Sequence, residues 1–114
     1  PELPALFANV DDLAGAILDA ADASGDPVWR LPLWKPYADM LDSDIADTMN
    51  SGGAFAGAIT AALFLQKFVP DNTPWAHLDT YAWRGTAKPA RPKGGEALGL
   101  RAVYRYLTER YPVR

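Results

Sequence analysis

The sequence contains no cysteine, which excludes a disulfide-stapled scaffold and any zinc site built on thiolates. It contains a single histidine, His77, so a metal site with two imidazole ligands is excluded as well. No run of 18 apolar residues occurs, which argues against a membrane-spanning helix. The first residues include Glu2 and the pair Asp11 and Asp12 but no basic segment followed by an apolar one, so we expect no signal peptide.

Basic residues are scarce in the first 83 positions, where three stand against twelve acidic residues. The remaining 31 positions reverse this balance, with eight basic residues against Glu96 and Glu109. A basic C-terminal third is compatible with an anionic partner such as nucleic acid. No recognition helix or aromatic-stacking motif accompanies the charge, so we favour neutralisation within the fold or against a neighbouring subunit.

With 114 residues, 49% of them hydrophobic and 22% charged, the chain is long enough for one globular domain with a modest core. The first residue is Pro1 and not methionine, which suggests a piece of a longer protein.

Apolar spacing and breaker residues predict an α/β order of elements. A buried strand over Pro4–Asn9 precedes a helix capped by Asp11 or Asp12 and ended by the turn at 24–27. Further along we predict extended chain at 28–33, a short helix at 35–41, a strand at 75–80, a loop at 84–95 and a helix at 96–110.

Two segments of the middle of the chain are less regular. Ser43–Met49 has Ile45, Asp47 and Met49 at alternate positions, which predicts a strand. Ala54–Val69, after the turn at 50–53, predicts a helix that is apolar on every side from Ala54 to Leu65. Since such a helix needs protein all around it, we expect further chain or other subunits to cover it.

Few residues offer chemistry. His77 and Asp79 would share one strand face, a spacing that suits a metal or an oriented base, but a histidine bonded to neighbouring groups is the better interpretation without further ligands. Asp44 and Asp47 are candidate ligands for a hard cation, but we favour the interpretation that one caps a turn and the other is solvated or paired with an arginine. The turn at 50–53 could bind an anion but lacks the lysine of a phosphate loop.

Several strings in fixed order resemble the C-terminal part of the leucyl aminopeptidase (cytosol aminopeptidase) family. They are ALFAN at 5–9, WRLPL at 29–33, SDIAD at 43–47 with Asn50, GG at 52–53 with AGAITAA at 56–62, FL at 64–65, WAHLD at 75–79, AW at 82–83 and KGG at 93–95. Each string is weak by itself, but together they extend over nearly the whole chain.

The resemblance implies a three-layer αβα sandwich of the zinc-aminopeptidase type, a mixed sheet flanked by helices. Residues 1–114 would be the C-terminal portion of a metallo-aminopeptidase catalytic domain, without its upstream metal-binding part. The family hydrolyses N-terminal amino acids from peptides with two divalent cations, zinc or manganese, assisted by a bicarbonate. Its members are cytoplasmic and assemble as hexamers, which would cover the apolar helix.

The family's metal ligands and catalytic residues lie in upstream motifs that this sequence lacks, so no catalytic residue and no metal ligand carries over. We therefore expect the segment alone to be inactive. After WAHLD this chain is about two residues shorter than better-known members before its AW pair. Thr80, Tyr81 and Ala82 are the residues we expect to wall the pocket for the substrate's first side chain, with ordinary packing of Tyr81 as the alternative.

Two other functions remain open from the sequence. One is a non-catalytic interaction domain, for instance for nucleic acid, that uses the basic C-terminal helix with Arg101 and Arg105. The other is an assembly module held in a hexamer by the helix predicted at 54–69.

Overall fold

The computed structural model describes residues 2–113, so Pro1 and Arg114 lie outside the description. The elements in chain order are β1 (Ala5–Ala8), α1 (Asp11–Ser24), β2 (Trp29–Arg30), a 3-10 helix (Lys35–Leu41), α2 (Gly57–Gln66), β3 (Ala76–Asp79), β4 (Trp83–Arg84), β5 (Gly94–Gly95) and α3 (Leu100–Arg110). Within residues 2–113 no helix has the length and apolar character needed to cross a membrane.

A mixed three-stranded sheet forms the middle of the molecule, in the order β2-β1-β3. The central strand β1 runs parallel to β2 and antiparallel to β3, and it pairs Ala5 with Asp79 and Phe7 with His77. All four residues of β1 are buried, as the apolar string predicts for a strand covered on both faces.

Helices cover both faces of this sheet. Leu6 and Ala8 of β1 belong to a core with α1 and α3, whereas Ala5 and Phe7 belong to a second core with α2. Since successive side chains of a strand point to opposite faces, β1 separates two helical layers. The expectation of a mixed sheet flanked by helices is confirmed.

The carboxylate of Asp26 joins α1 to α3. Asp26 follows the end of α1, where Gly25 adopts the left-handed conformation with φ 62°, and its side chain is only 2% exposed. It accepts the backbone N–H groups of Gly99, Arg101 and Ala102 at 3.0, 2.9 and 3.2 Å. A residue predicted only as part of a turn therefore caps a helix distant in sequence.

The predicted cap of α1 is wrong in detail. The capping position is Val10, without a side-chain cap, because the helix already begins at Asp11. Asp11 instead pairs with Arg30 of β2 at 2.6 Å. Acidic side chains in the first turn still face the positive end of the helix dipole.

The strand predicted over Ser43–Met49 is wrong. Ile45 is 98% exposed and Asp47 is exposed, because the segment folds back on the 3-10 helix and pairs with no strand of residues 2–113. The backbone N–H of Met49 and the hydroxyl of Thr48 both donate to the carbonyl of Leu41. The Ser43 hydroxyl accepts the N–H groups of Ile45 and Ala46, a local turn that competes with a strand.

The helix predicted from Ala54 begins only at Gly57, because Ala56 is left-handed with φ 53°. It ends at Gln66 and not at Val69. Its burial is one-sided: Thr60, Ala62 and Leu63 are buried. Phe55, Leu65 and Phe68 are exposed, so residues 2–113 do not cover this segment on every side. The expected cover by further chain or other subunits stays a prediction.

The C-terminal region also differs from its prediction. Part of the expected loop at 84–95 belongs to an antiparallel pair, in which Trp83 faces Gly95 and Arg84 faces Gly94. Helix α3 begins at Leu100 and not at Glu96, because Gly99 before it has φ 83°. The strand predicted over 75–80 is confirmed as β3, and the short helix over 35–41 as the 3-10 helix.

Candidate functional site

His77 is enclosed by aromatic rings and lies on the α2 side of the sheet. The imidazole stacks on Phe7, with ring centroids 6.0 Å apart, and on Trp75, with centroids 6.2 Å apart and planes 8° from parallel. Burial lowers the pKa of His77 below its ordinary value, and the negative charge of Asp79 partly opposes this shift. A neutral, stacked imidazole agrees with the structural interpretation of this histidine.

The residues described here do not fit a metal pair. Nowhere in residues 2–113 do three or more histidine, aspartate or glutamate side chains converge as metal ligands would. Asp44 and Asp47, the candidate ligands for a hard cation, are exposed in the segment folded against the 3-10 helix. Asp79 is accompanied only by His77 on its strand.

Two clefts border the loop Thr80–Ala82, which follows β3. The His77 cleft, about 420 Å³, is lined by Asn50, Ala61, Phe64, Leu65, His77, Leu78, Asp79 and Thr80. The Tyr81 cleft, about 280 Å³, is lined by Glu2, Tyr81, Trp83, Arg84, Gly85, Thr86, Lys88, Glu96 and Leu98. The three predicted pocket residues therefore do not share one cleft: Thr80 lines the first and Tyr81 the second.

Ala82 lines neither cleft and anchors the loop instead. Its backbone is left-handed with φ 53°, and its carbonyl accepts the N–H of Glu96 at 3.0 Å. This bond ties the loop to the chain just after β5. A residue without a long side chain suits this position, because the left-handed conformation is unfavourable for bulky residues.

One carboxylate holds the β4–β5 hairpin together. Glu96 Oε1 accepts Nη2 of Arg84 at 2.8 Å and also Nη1 of Arg91. Hydrogen bonding to Arg84 and Arg91 holds the pKa of Glu96 below its ordinary range, and the bond from Glu96 raises the pKa of Arg84. This ion triad was not predicted; the sequence signal was a glutamate between basic residues of a glycine- and proline-rich segment.

The turn at 50–53 does not lie at a helix N-terminus, because α2 begins four residues after Gly53. Its residues line a smaller cleft of about 170 Å³ together with Leu41, Gly57, Thr60, Ala61 and Phe64. Gly52 packs directly on Thr60, where a Cβ would lie 2.9 Å from Cγ2. Close packing on α2 thus explains Gly52. The anion site predicted at 50–53 is not supported, because the turn does not present the free N–H groups of a helix start.

Four of the basic residues of the C-terminal third pair with carboxylates inside the fold. Besides the two arginines on Glu96, Arg101 lies 3.7 Å from the carboxylate of Asp26, and Arg105 pairs with Glu109 one turn further along α3. These pairs support the interpretation of internal neutralisation, although only Asp26 belongs to the acidic first part. They disfavour a helix surface of free arginines for nucleic acid.

A family model described as the catalytic domain of the cytosol aminopeptidase family matches residues 1–104. A probable cytosol aminopeptidase of Roseiflexus castenholzii is 46% identical over 112 residues, which are 96% of this chain and 23% of that protein. The chain thus spans about a quarter of the length of the curated relative.

Solved structures give the same result. The cytosol aminopeptidase of Coxiella burnetii is 57% identical, with a TM-score of 0.92 over 97% of this chain and 24% of that one. The bottromycin maturation enzyme BotP, in complex with Mn, is 36% identical, with a TM-score of 0.88 over 95% of this chain and 24% of the other. At these identities and TM-scores the likeness covers both sequence and backbone.

Proposed function

The chain belongs to the cytosol aminopeptidase family. We propose that it is part of a metal-dependent aminopeptidase that releases N-terminal amino acids from peptides. The observation that carries the proposal is the match to the family's catalytic domain over residues 1–104, together with 57% identity to the Coxiella burnetii cytosol aminopeptidase.

Residues 1–114 form, in this proposal, the C-terminal portion of the catalytic domain. Two divalent cations, manganese or zinc, are then held by residues outside this chain, because residues 2–113 offer no converging ligand set. Manganese is supported by the BotP relative, whose structure is described in complex with Mn. A bicarbonate bound by the remaining part of the domain belongs to the same proposal.

The contribution of this chain is structural and selective. The core of β1, α1 and α3 fixes the position of β3, and Thr80–Ala82 follows directly where β3 ends. We propose that Thr80, Tyr81 and Ala82 wall the pocket for the substrate's first side chain; their position directly after β3, within the segment that matches the family's catalytic domain, supports this. Thr80 would contribute through the His77 cleft and Tyr81 through the Tyr81 cleft, while the carbonyl of Ala82, which accepts the N–H of Glu96, fixes the backbone beside them.

Assembly and location belong to the same proposal. We propose a cytoplasmic enzyme, as the name of its relatives states, that assembles as a hexamer and acts on peptides. The exposed Phe55, Leu65 and Phe68 support cover by more of the same chain or by other subunits.

Hydrolysis of leucyl p-nitroanilide tests the proposal. We expect turnover by the full-length polypeptide supplied with manganese or zinc, and loss of turnover after chelation. The 114-residue chain alone should remain at the blank rate under the same conditions, because residues 2–113 offer no converging ligand set for the cations. A full-length polypeptide inactive on aminoacyl anilides and peptides with either metal would overturn the proposal.

A further inference from the structure

The Tyr81 cleft holds polar groups that a pocket for an apolar side chain does not need. Tyr81 is 65% exposed and Trp83 is 48% exposed, so two accessible aromatic residues line its wall. Thr86 and Lys88, whose side chains end in a hydroxyl and an ammonium group, line the same space. A ligand in this cleft would meet rings, a hydroxyl and a cation together.

The charged side chains that line the cleft balance one another, and Arg91, which binds Glu96 from outside the lining, adds one positive charge beside it. Glu96 is bound by two guanidinium groups, those of Arg84 and Arg91, so this triad carries a net positive charge. Lys88 and Glu2, which also line the cleft, carry opposite charges and balance each other. A ligand with one carboxylate would therefore neutralise the site.

The backbone that presents Lys88 is fixed. The N–H of Lys88 donates to the carbonyl of Arg91 at 2.8 Å, and the N–H of Arg91 donates back to Lys88 at 2.9 Å. Ala90 between them adopts the left-handed conformation with φ 61°, which closes the turn tightly. A cation on such a turn loses little backbone entropy when it binds an anion.

We propose that the Tyr81 cleft binds a carboxylate of the peptide substrate, with Lys88 and the Glu96 triad as the attracting charges and Tyr81 and Trp83 as apolar walls. The proposal rests on the aminopeptidase function proposed above. A peptide has this group either at the C-terminus of a short chain or on an acidic first side chain. The two sources share the chemistry that Lys88 recognises, and the experiment separates them.

The experiment uses the full-length polypeptide at low ionic strength with two pairs of substrates. Trialanine is compared with trialanine amide, and glutamyl p-nitroanilide with glutaminyl p-nitroanilide. In at least one pair we expect kcat/KM of the wild type to favour the acid about three- to tenfold, the range of a partly exposed charge-assisted contact. Preference within the first pair identifies a C-terminal carboxylate, and preference within the second identifies an acidic first residue.

Two variants of the same hairpin test the role of the cation. K88Q should reduce the preference to near unity, whereas K93Q, which removes an equal charge outside the cleft, should retain it. Absence of any preference for the acid in the wild type, or equal loss in both variants, would overturn the proposal.

Binding without turnover separates this proposal from the proposed function. N-acetyl-trialanine and N-acetyl-glutamate amide present the two carboxylate sources without a free amino end, with N-acetyl-trialanine amide and N-acetyl-glutamine amide as their neutral counterparts. We expect at least one of the two acids to change tryptophan fluorescence at lower concentration than its neutral counterpart, through a signal lost in W83F and weakened in K88Q. If no peptide is hydrolysed but this binding is observed, the aminopeptidase function fails while the cleft's recognition of a carboxylate stands. If neither acid binds better than its neutral counterpart, the recognition fails whatever the activity.

Discussion

The carboxylate of Asp26 accepts the backbone N–H of Gly99 at 3.0 Å, across 73 positions of the sequence. The same carboxylate accepts two further N–H groups at the start of α3, so one side chain satisfies most of that helix end. The bond also fixes Gly99 where its Cα faces Leu78 of β3, since a Cβ there would lie 3.4 Å from the leucine. Helix α3 is thereby positioned against both α1 and the sheet.

Replacing Asp26 should lower the free energy of unfolding. D26A leaves three N–H groups at the start of α3 without their acceptor, and we expect a loss of about 2 to 4 kcal/mol. D26N retains one oxygen acceptor and should lose less. Urea unfolding followed by circular dichroism measures this, with D22N, an exposed change on α1, as the control. Equal stability of D26A and D22N would contradict the capping role.

His77 should make stability depend on pH in the mildly acidic range. Its pKa is lowered in the fold, mainly by burial, so folding favours the neutral imidazole. The free energy of unfolding should therefore fall as pH decreases from the ordinary value of 6.5 towards the lower folded value, and be independent of this group above that window. NMR titration of the single imidazole of the 114-residue chain gives the folded pKa directly.

A matched variant separates this effect from the carboxylates. H77F keeps an aromatic ring between Phe7 and Trp75 and removes the titration, so its stability should lose this part of the pH dependence. A folded imidazole that titrates at or above 6.5 would refute the assignment of burial as the dominant cause.

Gly52 and Gly57 should respond differently to alanine. At Gly52 the added Cβ would lie 2.9 Å from Cγ2 of Thr60, so G52A should destabilise the fold by about 1 to 3 kcal/mol. At Gly57, the first residue of α2, no heavy atom lies within 4 Å of the added Cβ, and G57A should be neutral or slightly stabilising. Thermal unfolding of the two variants side by side provides the measurement. The reverse order would show that Thr60 does not pack on the turn as described.

Glu96 should control the order of the β4–β5 hairpin. E96Q removes the charge that Arg84 and Arg91 share, so amide hydrogen exchange of Gly95, which pairs with Trp83, should accelerate. E109Q removes an exposed glutamate from α3 and should leave Gly95 unchanged. Because the pKa of Glu96 is lowered in the fold, its contribution should be present at neutral pH and be lost only as pH falls below the ordinary 4.5. Unchanged exchange in E96Q would mean that backbone bonds alone order the hairpin.

The sequence predicted the elements that local patterns determine. Strand β1 and helix α1 were placed within a residue or two, because a short apolar string ends at Asn9 and helical spacing ends at Gly25. Strand β3 was found for the same reason, with a proline turn before it. In these segments the apolar periodicity and the residues that end it lie within a few positions of each other, so local sequence is enough to locate the element.

The predictions were wrong or incomplete where the structure depends on residues distant in sequence or on an unusual backbone conformation. The alternation around Ile45 predicts a strand, but no neighbouring strand exists for it within residues 2–113, so turns at Ser43 and Leu41 prevail. The late start of α2 depends on a left-handed alanine, Ala56, a conformation that propensities do not anticipate. The role of Asp26 depends on a partner 73 positions away.

The sequence located the segment that holds the candidate site, but it did not predict how the residues of that segment are arranged in space. The family strings placed Thr80, Tyr81 and Ala82 together in sequence, yet the loop turns between them and gives each a different environment. The ion triad at Glu96, which shapes one of the two clefts, depends on pairing across the β4–β5 hairpin. Such pairing follows from the loop's closure and not from any local composition.

The antiparallel register of β1 and β3 has a consequence for the folding kinetics. It joins Ala5 to Asp79, a separation in sequence almost identical to that between Asp26 and Gly99. One closure of the intervening chain therefore brings β1 against β3 and Asp26, after α1, against the start of α3. Both contacts share a single loss of loop entropy. We expect the β1–α1 and β3–α3 units to dock in one slow, cooperative step, whereas residues 34–70 order afterwards without adding to that barrier.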